Sequence, residues 1–578
     1  MPNPRKRTKT QKLSRRLAIF GRKASEEGRE HIRENLIDRI SHVRNIRLLI
    51  LEWSLLVAVI TILAIIQSFW YSDSYAVTAW GRGGTYTEAT LGKINSLNPL
   101  FANTSSEKTL SKLMFATLSQ PDYSGHTGLG LAASIKTDES GLNWTVRLRD
   151  NLKWSDGEKI TNQDVIYTVN TLKSPGFNSS YTSNLTNVTL TESEDGALVF
   201  TLPAAYANFS SALDFPILPA HILSEVSPNL LLENSFSSSP VTSGAFAYNA
   251  SQTVGSNGER IVYLVPNKEY YRGAPMLDSF AVHAYTSSEE IVSALRSGTV
   301  TATAELLPTD AENVTSSLVN QRETAISSGV FLFLNTRDSI FSNKNLRKSL
   351  QKGIDMRSLR APLGDEITLD YPLTPTQISI TNYPALPTYD PESAKATVST
   401  LSEVDRTIRL ATTNSSYVPA LAENLKYQLE QLGFRVDVQI YTPNQDFLLT
   451  VLRPRDYDIL LYEIELGADP DLFAYYHSSQ ATETGLNLSN YTNSLASDLL
   501  LAARSTMDPA VRSAKYQSFL NYWVEDVPAI GIYQVNFSYY VNRNVRSYST
   551  DNHLVSALDR FIDVERWATE KVSKNRTP

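Results

Sequence analysis

Carboxylates and imidazoles are the side chains with which this chain could do chemistry, because it holds no cysteine in 578 residues. That absence removes a thiolate nucleophile, a Cys-ligated metal, a disulfide framework and a lipid-modified cysteine anchor together. The seven histidines, His31, His42, His126, His221, His283, His477 and His553, show no HExxH or other tight ligand spacing. There is no Gly-x-Ser-x-Gly elbow and no Walker loop, and Gly81-Arg-Gly-Gly84 has neither the spacing nor the preceding strand of a phosphate loop. Asp156 and Asp164 could serve as an acid–base pair, but each has a sufficient structural role. Ser155-Asp-Gly157 is turn chemistry. Thr161-Asn-Gln-Asp164 sets a cap and a first-turn carboxylate at a helix start. Nothing here points to an enzyme, and no cofactor is implied.

The element that divides the chain is the apolar run Trp53 to Trp70. Its 18 residues cover roughly 27 Å as a helix, and Leu48 to Leu51 extend it to a typical hydrocarbon thickness. Up to Arg47 the chain carries 14 Lys and Arg against 5 Asp and Glu, whereas the remainder carries 39 against 55, a net charge of −16. Excess Lys and Arg stays cytoplasmic, so the N-terminus is expected inside and the acidic body outside. A retained anchor is expected rather than a cleaved signal peptide, since no clean small-x-small site follows the run and Ser74 to Ala79 is a poor one. Residues 1–23 are polar and basic, suited to anionic lipid. Ile32, Leu36, Ile37, Ile40, Val43 and Ile46 recur at helical spacing, predicting an amphipathic helix on the bilayer or docked to a cytoplasmic partner. A body at −16 does not suit nucleic acid.

Beyond the anchor, short patterns follow one another in a familiar order. Gly83-Gly-Thr-Tyr-Thr-Glu-Ala89 and Ile94-Asn-Ser-Leu-Asn-Pro-Leu100 come first. Trp144, Val146 and Leu148 then alternate with polar residues as a half-buried strand, leading to Trp154-Ser-Asp-Gly157 and the Thr161 cap. Ile217-Leu-Pro-Ala-His221, Pro240 to Phe246, Val265 to Pro275, Ala468-Asp-Pro-Asp471 and Asn490-Tyr-Thr-Asn493 complete the series. In this order the chain resembles the family 5 extracellular solute-binding proteins, the peptide and nickel receptors of ATP-binding cassette importers, from about Gly83 to Arg566.

The resemblance implies an α/β, two-lobed periplasmic-binding-protein-like fold with an additional inserted domain, here preceded by one N-terminal transmembrane helix. The expected division is a basic leader with its amphipathic helix at 1–47, the transmembrane helix at 48–71, the first lobe at 78–110, 240–325 and 540–570, the inserted domain at 111–239 and the second lobe at 326–539. Alternation of the amphipathic segment Ala420 to Leu432, ended by Gly433, with the strand Arg435 to Tyr441 agrees with α/β architecture. In dipeptide-binding members an acidic residue before the Asp-Pro pair holds the ligand's amine and an Arg holds its carboxylate. Here an ungapped reading puts Leu466 at the acidic position, with Glu463 and Glu465 close by, and the loop Ala411 to Ser416 contains no Arg. The resemblance therefore implies a cleft with one negative side and no fixed cation. Its candidate ligand contacts are Asn98, Thr412, Asn414, Tyr462, Glu463, Glu465 and Asp469; for Glu465 the competing reading is a solvated strand-end charge, and for Asp469 a turn or cap. The implied function is capture of peptides or peptide-like solutes and their delivery to permease subunits of an ATP-binding cassette importer at the cell membrane. The alternative is a membrane-tethered sensor or scaffold signalling through the leader.

Overall fold

The apolar run lies within one helix, Asp38–Tyr75. In this computed structural model the described residues are 38–575, except 186, 255–258, 307–309, 311–313, 315–318, 364–367, 376, 416–417 and 570. The amphipathic segment expected from Ile32 begins outside them. Leu49–Ser68 is long and apolar enough to cross a membrane, and none of it is buried against protein. Thr61, the polar interruption, donates its hydroxyl to the Val57 carbonyl at 2.7 Å, so the helix satisfies its own polar group. This helix belongs to a unit separate from the body, Trp80–Lys571.

The body is organised by a ten-stranded mixed sheet. Its order runs Arg435–Tyr441, Thr407–Thr413, Ile459–Glu465, Val319–Leu334, Ala529–Asn542, Ala302–Thr303, Thr85–Leu91, Ser279–Tyr285, Glu259–Pro266 and Phe246–Val254. Two strands are much longer than the rest, with 16 residues in Val319–Leu334 and 14 in Ala529–Asn542. They pair antiparallel along both lobes, and the register breaks between Ala325 and Gly329. There Gln534 donates to the Ile326 carbonyl at 2.9 Å, which closes the ladder around the bulge. Gly329 and Gly531 face the segment at Leu369. A Cβ on Gly531 would lie 2.2 Å from the Leu369 carbonyl oxygen, so only glycine lets that segment approach the sheet.

Period-two alternation explains the second lobe. Val330, Leu332 and Leu334 enter one core with the helix Val418–Leu432, while Phe331 and Phe333 enter another with the helices Ser494–Ser505 and Pro509–Asp526. Both faces are buried, so the strand reads as a continuous apolar run. The first lobe packs Tyr86, Phe280, Phe561 and Trp567 together. Beside them Glu88 and Arg560 are fully buried and paired at 2.9 Å, and Tyr539 donates to Glu88 at 2.5 Å. A separate antiparallel sheet, ordered Ala132–Thr137, Asn143–Leu148, Leu198–Thr201 and Thr189–Glu192, shares the first lobe's core.

Candidate functional site

Segments distant in sequence line one cavity between the lobes, with a volume of about 390 Å³. The helix Ser105–Met114 carries Lys108 and Lys112 into its wall. This helix is held by a capping box of Thr104 and Glu107, and its end is packed against Gly244, where a Cβ would lie 2.5 Å from the Met114 carbonyl carbon. Asp214 follows the short helical turn Phe209–Leu213, Asp559 lies in the turn Ala557–Arg566, and Glu465 ends the strand Ile459–Glu465. A smaller cavity of about 140 Å³ shares Ala468 and reaches Gln534 at the register break.

The charges are unevenly committed. Lys112 pairs with Asp559 at 3.1 Å, and Asp559 also accepts the Ser556 amide at 2.8 Å and the Ser556 hydroxyl at 2.9 Å. The carboxylates of Asp214 and Glu465 have no hydrogen-bond or ion-pair partner on another residue among the described ones. Burial pushes the Asp214 carboxyl up to about 6; Lys112 opposes the rise, and Asp559 and Glu465 add to it. Protein encloses Asp214, yet its side chain stays open to the water of the cavity.

The walls meet beside the cavity. The Ala207 amide donates to the Arg504 carbonyl at 2.7 Å, and the Arg504 guanidinium lies 4.4 Å from the Tyr206 ring and 4.6 Å from that of Phe473. Asp471 pairs with the same guanidinium at 3.5 Å.

Of the seven residues expected at the site, Glu465 lines this cavity. Glu463 and Tyr462 are half-buried on the same strand; burial raises the Glu463 carboxyl, and Tyr462 packs 5.9 Å from Phe447. Asn98 is fully buried and accepts the Leu100 amide at 3.2 Å as a cap. Thr412 is buried and donates to the Leu461 carbonyl at 2.9 Å. Asn414 is exposed at its strand end, where its amide donates to the Tyr441 carbonyl. Asp469 pairs with Arg512 at 3.1 Å, a structural use of its charge. Leu466, at the position read as acidic in relatives, is buried. Two cations, Lys108 and Lys112, also stand in the wall of this cavity. No local motif joins these lysines to Asp214 and Asp559, so sequence patterns do not reveal the four as a group. Asp156 and Asp164 are scaffold, as expected: Asp156 contacts His221 at 2.9 Å, and Asp164 accepts the Thr161 amide at 2.7 Å and the Ala220 amide at 2.8 Å.

Two lobes joined by crossing strands around a cleft define a binding protein of the periplasmic type. The model of the bacterial extracellular solute-binding proteins, family 5, matches residues 128–485, and the chain belongs to this family. It is 25% identical over 509 residues to the oligopeptide-binding protein AppA of Bacillus subtilis, covering 82% of this chain and 91% of that protein. It is 26% identical over 430 residues to Protein XP55 of Streptomyces lividans, covering 68% and 74%. Among solved structures, AppA of B. subtilis in complex with a nonapeptide superposes with a TM-score of 0.69 at 23% identity, covering 85% of this chain and 99% of that one. CtaP of Listeria monocytogenes gives 0.73 at 23% identity, covering 85% and 100%.

Proposed function

We propose that this protein is a membrane-anchored receptor that captures peptides or peptide-like solutes between its lobes and delivers them to an ATP-binding cassette permease. The observation that carries the reading is the cavity between the lobes, whose size falls in the range of small-solute sites and whose wall offers unpaired carboxylates and a lysine. AppA, an oligopeptide-binding protein with a nonapeptide complex, supports peptide as the solute class. The exposed apolar helix Leu49–Ser68 and the basic residues before it support a single-pass anchor with a cytoplasmic N-terminus and an extracytoplasmic body.

The test is native mass spectrometry of the full chain purified in detergent without added solute, followed by denaturation and identification of what it carried. Bound peptides, with permease subunits recovered under gentle solubilisation, are expected. An empty protein that gains no thermal stability from a peptide library would reject the peptide reading.

A further inference from the structure

We propose that the strand Lys571–Asn575 returns a basic stretch of the chain to the outer membrane surface, where Lys571, Lys574 and Arg576 bind the phosphates of anionic lipid headgroups. This rests on the reading of Leu49–Ser68 as a retained membrane anchor. The strand Ala76–Trp80 begins at the residue after the helix Asp38–Tyr75. Its partner in a two-stranded sheet is Lys571–Asn575, a segment remote in sequence. Thr569, just before the second strand, donates to the carbonyl of Gly83, just after the first, at 3.3 Å. Strands joined at those ends run antiparallel, so Lys574 and Asn575 fall beside Ala76, at the membrane end of the ribbon.

Past Ser68 the helix continues to Tyr75, a rise of about 10 Å. That carries it through a headgroup layer of about 5–8 Å, and the ribbon starts at the lipid surface. Residues 571–578 hold three basic residues and no acidic one, although the chain beyond Arg47 is strongly acidic. Topology does not require these charges, because the basic leader already sets the orientation. Headgroup phosphates are their complement at that level. One Lys or Arg near an anionic surface strengthens attachment by roughly fivefold, and three held there by the anchor compound to about a hundredfold. The receptor thereby gains a second attachment, one that salt releases and the helix's burial in lipid does not share.

The experiment places the full chain in lipid nanodiscs and reads the ribbon alone, because the basic leader also favours anionic lipid. The chain has no cysteine, so Asn575→Cys accepts a single fluorescent label. A phosphatidylcholine with a spin label on its headgroup, at the same fraction in every disc, quenches that label on approach. Discs of phosphatidylcholine are compared with discs of an equal mixture of phosphatidylcholine and phosphatidylglycerol. Quenching is expected to be about twofold or more stronger in the anionic discs. It should fall to the phosphatidylcholine level in about 1 M salt, where the screening length is about 3 Å. Combining Lys571→Gln, Lys574→Gln and Arg576→Gln should lower it in the same way and leave solute binding and the melting temperature unchanged. Equal quenching in the two lipids, or a difference that the triple variant keeps, overturns the inference and leaves the anchor reading intact. A chain that enters discs of neither composition rejects the anchor reading and the inference with it.

Discussion

Tyr206 and Arg504 join the two walls of the cleft, and their coupling can be measured. The guanidinium carbon lies 4.4 Å from the Tyr206 ring centroid, and a partly desolvated contact of this kind contributes about 1–2 kcal/mol. At about 1.4 kcal/mol for each factor of ten, Tyr206→Leu is expected to weaken solute binding by roughly 5- to 30-fold, since binding requires the lobes to meet. Arg504→Met removes more than that contact, because Phe473 and Asp471 on its own lobe also lose a partner. A double-mutant cycle separates the terms. Titration of the wild type, both single variants and the double variant with a peptide that the purified protein carries should give a coupling of about 1–2 kcal/mol. Additivity within about 0.5 kcal/mol would refute the argument that this pair holds the cleft shut.

Asp214, in the wall of the proposed solute site, should make binding depend on pH. Its folded-state carboxyl titrates at about 6 against a usual 3.8, so affinity for a cationic probe should fall as the solution is acidified through that value, and Asp214→Asn should flatten the profile. The stability term has the opposite sense: the folded state holds this proton more tightly, so through this group the ligand-free protein gains stability as pH falls from about 6 towards 3.8. Arg560→Met strands the buried Glu88 and should cost about 3–5 kcal/mol, read as a lower melting temperature that the added substitution Glu88→Gln partly restores. Gly244→Ala forces a Cβ onto the backbone at Leu113 to Phe115. It should both destabilise the body and weaken binding by displacing the helix that carries Lys108 and Lys112, whereas Gly157→Ala, with open space around its Cβ position but a φ of +94°, should lower stability through backbone strain and leave binding unchanged.

Local patterns in the sequence suffice for features whose causes lie within a few residues. The apolar run sets the helix Asp38–Tyr75 because nearly every residue in Leu49–Ser68 favours the same solvent. The strand Arg435–Tyr441 occupies the expected residues, and the helix before it, Val418–Leu432, stops where Gly433 adopts φ +103°. Thr161 and Asp164 cap their helix through contacts three residues apart. Glu465 is visible as a candidate because a carboxylate at a strand end faces either solvent or a cleft.

Tertiary structure alone decides the rest of the site. Asn98 and Thr412 have residue types suited to ligand contact, but the Leu100 amide takes the Asn98 Oδ1 and the Leu461 carbonyl takes the Thr412 hydroxyl, the Asn98 Nδ2 is buried without a partner among the described residues, and Arg512 takes the charge of Asp469. Lys112 meets Asp559 across 447 positions, a pairing made by the packing of the helix Ser105–Met114 against the turn Ala557–Arg566. Periodicity reports which face of an element is apolar; it does not report which other element that face will meet. The cleft is built from such meetings, so its charges become legible only once the chain is folded.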